Sequence, residues 1–140
     1  MSEQNKAVIR KIREEALSTN RLDLLDGLYA ANYRYHGGAG HGELTGPEAF
    51  KGLLQEMAQV LADYEETVED QVAEGQKVVS RLSGHGRVVG ELFGVAGDGK
   101  EFTSTSIVIT AFNPAGLIEE EWAEGDALGI LRQLEATPGS

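Results

Sequence analysis

Residues 45–72, TGPEAFKGLLQEMAQVLADYEETVEDQV, change their period halfway, and that change decides the fold class. In the first half Phe50, Leu53, Leu54, Met57 and Leu61 recur every three or four positions, the spacing of one face of an α-helix. Thr45 and Glu48 stand as Thr-x-x-Glu, the spacing of a reciprocal capping box. Pro47 falls in the first turn, where its missing N–H costs nothing. From Tyr64 onward the period becomes two. Strands are expected at 64–73, 76–90, 101–112 and 116–124, separated by Glu74-Gly75, Gly97-Asp98-Gly99 and Asn113-Pro114-Ala115-Gly116. Glycines at 84, 86, 90 and 94 suit strand bends or a close approach of backbone.

Upstream of the quoted stretch the pattern is helical again. Asn5 to Leu17 places Val8, Ile9, Ile12 and Ala16 at helical spacing, and Ser18-Thr19-Asn20 breaks the run. Leu22, Leu25 and Leu28 mark a short second helix, Tyr33 to His36 a brief extended piece, and residues 37–42 a glycine-rich loop. That loop lacks a following Lys-Ser/Thr, so it does not read as a phosphate loop. Helices first and antiparallel strands afterwards define an α+β fold, with helices packed on one face of a sheet. Residues 1–135 are expected to form one domain, and residues 136–140 a frayed tail.

Composition narrows the function. The chain has no cysteine, which removes disulfides, thiolate metal sites and a cysteine nucleophile. Its formal charge of −11, from 23 acids against 12 bases, repels phosphate backbones and anionic lipid, so neither nucleic acid nor membrane is an expected partner. No apolar run approaches the roughly 18 residues of a membrane span. No signal peptide is visible at the N-terminus, and a cytoplasmic location is expected. The acidic runs Glu65–Asp70 and Glu119–Glu124 read as solvated strand faces.

Several pieces, in order, resemble the SnoaL-like polyketide cyclases, or ester cyclases, of the NTF2-like superfamily. They are Asn5-Lys6-Ala7-Val8, Leu22-Asp23-Leu24-Leu25-Asp26-Gly27-Leu28-Tyr29, Tyr35-His36-Gly37, and Thr45-Gly46-Pro47-Glu48-Ala49-Phe50. Further along come Gly90-Glu91-Leu92-Phe93-Gly94, Ile118-Glu119-Glu120-Glu121-Trp122 with Asp126, and Gly129-Ile130-Leu131-Arg132-Gln133-Leu134. The resemblance implies a cone-shaped barrel: a curved, mostly antiparallel sheet and three helices from the N-terminal half, enclosing an apolar cavity. It also implies a homodimer. Such proteins close a polyketide ring by intramolecular aldol condensation without metal or organic cofactor, using an aspartate in the last strand. Carried over, that aspartate falls on Ala123, which cannot transfer a proton; a polar pair falls on Ser106 and Val108, and an asparagine on Tyr35.

Proton abstraction beside a carbonyl needs a base near the carbon and a donor near the oxygen. The candidate acid/base residues are Asp126, Glu121 and His36. Asp126 equally reads as the N-cap of a final helix, through Asp-Ala-Leu-Gly. Glu119, Glu121 and Ala123 share one strand face by alternation. Tyr35 and His36 face opposite ways, so only one can enter a cavity. Tyr35 and Ser106 are candidate donors, and Trp122, Phe50 and Leu54 candidate walls for a hydrophobic small-molecule substrate. His85, Arg87, Arg81 and Ser83 read as an outward face. The histidines at 36, 41 and 85 match no metal-ligand spacing. Three functions fit: a cofactor-independent cyclase acting on a polyketide-like or polycyclic carbonyl compound, an epoxide-opening hydrolase or cyclase of the limonene-epoxide-hydrolase type, and a non-catalytic binding protein of the same fold.

Overall fold

A computed structural model describes residues 2–18, 20–37 and 42–135. Helix α1, Ser2–Arg10, runs unbroken into π-helical turns over Lys11–Leu17, on which Ile12, Arg13 and Ala16 are buried. Such wide turns are uncommon and recur at functional sites. The expected second helix is only a 3-10 turn, Leu22–Leu25. It stops because Asp26 is already extended and Gly27 takes a φ of +80°, a left-handed turn open to glycine. Strand β1 therefore begins early and spans Tyr29–Gly37.

A short edge strand that the alternation did not reveal, β2 (Gly42–Thr45), pairs antiparallel with β1, with Thr45 opposite Arg34. This overturns the capping box. Thr45 is committed to the strand ladder, the cap position falls on Gly46 at φ +91°, and no side chain caps the helix. Pro47 does open helix α2, Pro47–Val60, which passes directly into β3, Leu61–Glu74.

Strand β4 covers Lys77–Val88, and a two-rung hairpin follows, β5 (Glu91–Leu92) with β6 (Val95–Ala96), turning on Phe93 and Gly94. Then come β7, Lys100–Phe112, β8, Ile118–Gly125, and helix α3, Ala127–Glu135. The six-stranded sheet has the order β2-β1-β8-β7-β4-β3, antiparallel throughout except for β1 beside β8. It is open and curved, an α+β fold of the NTF2-like kind. Two register shifts in β3, at Ala62/Glu65 and Val68/Asp70, mark bulges that bend the strand.

The concave face carries the core. Ile9, Ile12, Ala16, Leu25, Tyr33, Tyr35 and Phe50 pack against Val78, Phe112 and Ile118. The edge of β3 is closed by side chains rather than by another strand. Glu14 accepts the Val68 N–H at 2.9 Å and Ser18 the Glu66 N–H at 2.8 Å, which removes a template for stray pairing. Gly84 and Gly86 supply the expected close approach: a Cβ on Gly84 would sit 2.9 Å from the Tyr64 hydroxyl, and one on Gly86 3.1 Å from the Tyr64 Cα.

Candidate functional site

Between the N-terminal helix, α2 and the mouth of β3 lies a cavity of about 360 Å³. Phe50, Leu53, Leu54 and Met57 from α2, with Leu17 and Leu61, make its apolar wall. One corner is polar. There Arg13 from the π-helical turns meets Tyr35 from β1 and Tyr64 and Glu66 from β3. Alternation explains the last two, since Tyr64, Glu66 and Val68 point to the inner face opposite Gly84 and Leu82.

Arg13 is only 9% exposed, and its Nη1 donates to Glu66 Oε1 across a long 3.5 Å. Burial by itself would lower its pKa. The Glu66 and Glu121 carboxylates more than offset this, and Arg13 is held above its ordinary range, a permanent cation. Tyr64 donates to Glu66 Oε2 at 2.6 Å, and burial followed by the Glu66 charge raises the Tyr64 pKa. Tyr35 makes no hydrogen bond through its hydroxyl among the described residues. Burial raises its pKa while the Arg13 charge opposes the rise.

A second polar cluster lies deeper. Glu121, 3% exposed, accepts from the Tyr33 hydroxyl at 2.8 Å and from Thr110 Oγ1 at 2.7 Å. It shares the inner face with Ala123 but is not part of the cavity wall. Burial and then the Glu121 charge raise the Tyr33 pKa, so that hydroxyl stays a donor. Around Ala123 the surroundings are apolar: Val68, Leu82 and Val108.

The sequence candidates divide accordingly. Tyr35, Phe50 and Leu54 line the cavity. Ser106 faces inward midway along β7, opposite Gly125 and Leu82, and is not part of the cavity wall. His36 lies on the outer face, between Glu43 at 3.0 Å and Glu120 at 2.6 Å, with its ring stacked on Trp122 at 5.5 Å. Trp122 is thereby outside too, covered by the Lys77 ammonium. Asp126 is exposed, and its Oδ1 accepts the Gly129 N–H at 2.8 Å, which makes it the N-cap of α3. His85 and Arg87 face outward, paired with Glu65 and Asp63. His41 lies outside the described residues. Among the described residues no three acidic or histidine side chains converge on a metal position.

Arg13, Tyr64 and Glu66 were missed. The helical stripe Val8, Ile9, Ile12 and Ala16 leaves Arg13 unmarked, yet Arg13 is buried with Ile9, Ile12 and Ala16. Glu66 belongs to an acidic run whose composition suggests a solvated face, but alternation from Tyr64 and Val68 puts it inside.

A curved α+β sheet wrapped by helices around one mostly apolar cavity defines a class of small-molecule proteins. Sequence comparison is more specific: the profile of the SnoaL-like polyketide cyclases matches residues 7–134. This chain belongs to the SnoaL-like polyketide cyclase family. Among solved structures it is similar to TsrD from Streptomyces laurentii, at 29% identity over 97% of this chain and 96% of that one, with a TM-score of 0.79. It is also similar to IdmH from Streptomyces antibioticus, a candidate polyketide cyclase, at 27% identity over 95% and 99%, with a TM-score of 0.79. A SnoaL-like protein from Jannaschia sp. CCS1 shares the fold at 18% identity, with a TM-score of 0.85 over 97% and 94%. Comparison with the curated proteins gives no match.

Proposed function

We propose that the protein is a cofactor-independent cyclase that closes a ring on a polyketide-like carbonyl compound by an aldol-type step in this cavity. The observation that carries the reading is the polar corner: the buried Glu66 carboxylate, the Arg13 cation and the uncommitted Tyr35 hydroxyl, set against the apolar wall of α2. Glu66 replaces the base that Ala123 cannot be. It takes the proton that makes the enolate, and it returns that proton to the alkoxide formed when the enolate carbon attacks the second carbonyl. Arg13 and Tyr35 receive the developing negative charge on the enolate oxygen, as donors aimed at a dry site. The α2 wall folds the apolar part of the chain so that the two reacting carbons meet. Asp126 and His36, away from the cavity, take no part; Glu121 acts only through its field on Arg13.

The test uses aromatic β-keto esters that carry a second carbonyl, following ring closure and deuterium exchange at the acidic carbon. Glu66→Gln is expected to lower turnover by roughly 10²–10⁴-fold, the usual worth of a positioned acid/base. Saturable binding with neither exchange nor closure would instead identify a binding protein. An epoxide-opening activity is a second reading, favoured by the two carboxylates of the cavity wall, Asp63 and Glu66. Consumption of an aryl epoxide with incorporation of water, and no carbon exchange, would select it.

A further inference from the structure

The N-terminal helix lies antiparallel to β3 and does along its unpaired edge what a neighbouring strand would do. Gln71 Nε2 donates to the Lys6 carbonyl at 3.2 Å. Arg10 Nη1 donates to the Val68 carbonyl at 3.4 Å, and Glu14 accepts the Val68 N–H at 2.9 Å. Ser18 accepts the Glu66 N–H at 2.8 Å. Positions 6, 10, 14 and 18 step by four, so every rung comes from one side of the helix. Lys6 to Ser18 spans about 18 Å at helical rise and Gln71 to Glu66 about 17 Å of strand, so the two ladders keep pace.

The last rung differs from the others. The acceptors within reach of the Ser18 hydroxyl proton are the Arg13 carbonyl at 3.2 Å and the Glu66 carbonyl at 3.4 Å. One oxygen atom thus joins the backbones of Arg13 and Glu66, whose side chains form the polar corner, and Ser18 itself lies in the cavity wall. Those two side chains, 10% and 9% exposed, stop 3.5 Å apart. An unrestrained guanidinium and carboxylate close to about 2.7–2.9 Å and often engage through both arms of the fork. A closed pair would commit the Arg13 donors to Glu66. The open gap leaves them to the cavity, since Arg13 has no other side-chain partner among the described residues.

We infer that Ser18 is the positioning residue of the polar corner: its hydroxyl ties the Arg13 backbone to the Glu66 backbone and fixes the gap in which the guanidinium meets a ligand carbonyl. It touches neither the reacting atoms nor the charged groups and acts through Arg13 alone. The helix run ends at Ser18, so without this tie the last wide turn, Arg13 included, is free to shift along the strand edge. Misplacing a donor by about 1 Å is enough to lose most of its effect. This deepens the cyclase reading and rests on it for what happens to the carbonyl once it is held, though not for the holding.

The experiment uses the intact chain and two fluorescent probes of one shape class, an acyl-dimethylaminonaphthalene, which is a neutral ketone, and dimethylaminonaphthalene, which lacks the carbonyl. Ser18→Ala is expected to weaken binding of the ketone by roughly ten-fold, the worth of one well-placed hydrogen bond, and to leave the hydrocarbon-like analogue unchanged. Ser18→Thr, which keeps the hydroxyl, should restore the ketone. In an Arg13→Lys background, where the fork is gone, Ser18→Ala should cost the ketone nothing further, because the two residues act as one unit. Ser18→Cys, of the same shape with only a weak thiol donor, should rank with Ser18→Ala and serves in its place if that variant fails to fold. An equal loss for both probes would make Ser18 a merely structural residue. Unchanged ketone affinity in Ser18→Ala, an additive loss in the Arg13→Lys background, or no saturable ketone binding by the wild type would each overturn the inference as well. Ring closure on β-keto esters that Ser18→Ala leaves intact would sink this inference and spare the cyclase; a ketone-selective loss without any ring closure would do the reverse.

Discussion

Asp126 and His36, two side chains suited to acid/base work, both hold scaffold contacts in this structure. Asp126 satisfies the Gly129 amide at the start of α3. Asp126→Asn should therefore leave both turnover and melting temperature unchanged, because asparagine caps equally well, while Asp126→Ala should cost about 1 kcal/mol of stability and no activity. Thermal denaturation with a parallel assay separates the two. A drop in turnover for Asp126→Asn would return that residue to the active site. His36 is bonded first to Glu120 and then to Glu43, and both interactions raise its pKa above the ordinary value. A raised folded pKa stabilises fully below the unfolded value, near 6.5, and loses that stabilisation as pH climbs through the folded one. The denaturation midpoint of the wild type should thus exceed that of His36→Gln by more at about pH 5.5 than at about pH 9. An equal gap at both would mean that folding leaves the pKa of the ring unshifted.

At the level of elements, what could be read in the chain was whatever repeats. The stripe Phe50, Leu53, Leu54, Met57 marks α2, and alternation marks the long strands and the face that Glu121 shares with Ala123; that this face is buried, with Glu121 3% exposed, corrects the reading of the run Glu119–Glu124 as solvated. What could not be read was decided by pairing over long sequence distances. Thr45 looks like a helix cap until β2 pairs with β1, and Leu28 looks helical until Gly27 turns the chain into β1. The candidate site was harder still, since Arg13 and Glu66 come from elements 53 positions apart and each carries a charge that usually marks a solvated face. Tyr64 reaches the corner only because β4 has glycines beneath it. Gly84→Ala would set a methyl 2.9 Å from the Tyr64 hydroxyl and 2.8 Å from Ser104 Oγ, so one of them must move. A loss of about 1–3 kcal/mol is expected from overpacking, together with weaker ligand binding as Tyr64 leaves Glu66. Urea denaturation and probe titration measure the two effects. Unchanged affinity would mean that the shift is absorbed by Ser104.

The whole molecule presents a convex sheet face whose charges are ordered by strand. From one edge, β3 offers Asp63, Glu65 and Asp70, and β4 offers Lys77, Arg81 and Arg87. Strand β7 then places Ile107, 48% exposed, in the middle. Beyond it β8 offers Glu120 and Glu124, and β1 offers Arg34 and His36. The sequence of signs is negative, positive, apolar, negative, positive. Turned about a two-fold axis along β7 and laid on itself, β3 meets β1 and β4 meets β8, each of opposite sign, while Ile107 meets its own copy and the edge strand β2, with Glu43, is left outside the pairing. Such a surface is self-complementary, the requirement of an isologous interface. A homodimer through this face is the expected assembly, with Ile107 at its centre and Trp122 and Ile109, both half-buried in one chain, completing the apolar band. Ile107→Glu should yield a monomer in light scattering, because it places two like charges on the axis in a desolvated patch. Raising salt should weaken the wild-type dimer only partly, since the ion pairs are screened and the apolar centre is not. If Ile107→Glu still elutes and scatters as a dimer, the contact lies elsewhere, and the ordered columns merely lace the sheet together within one chain.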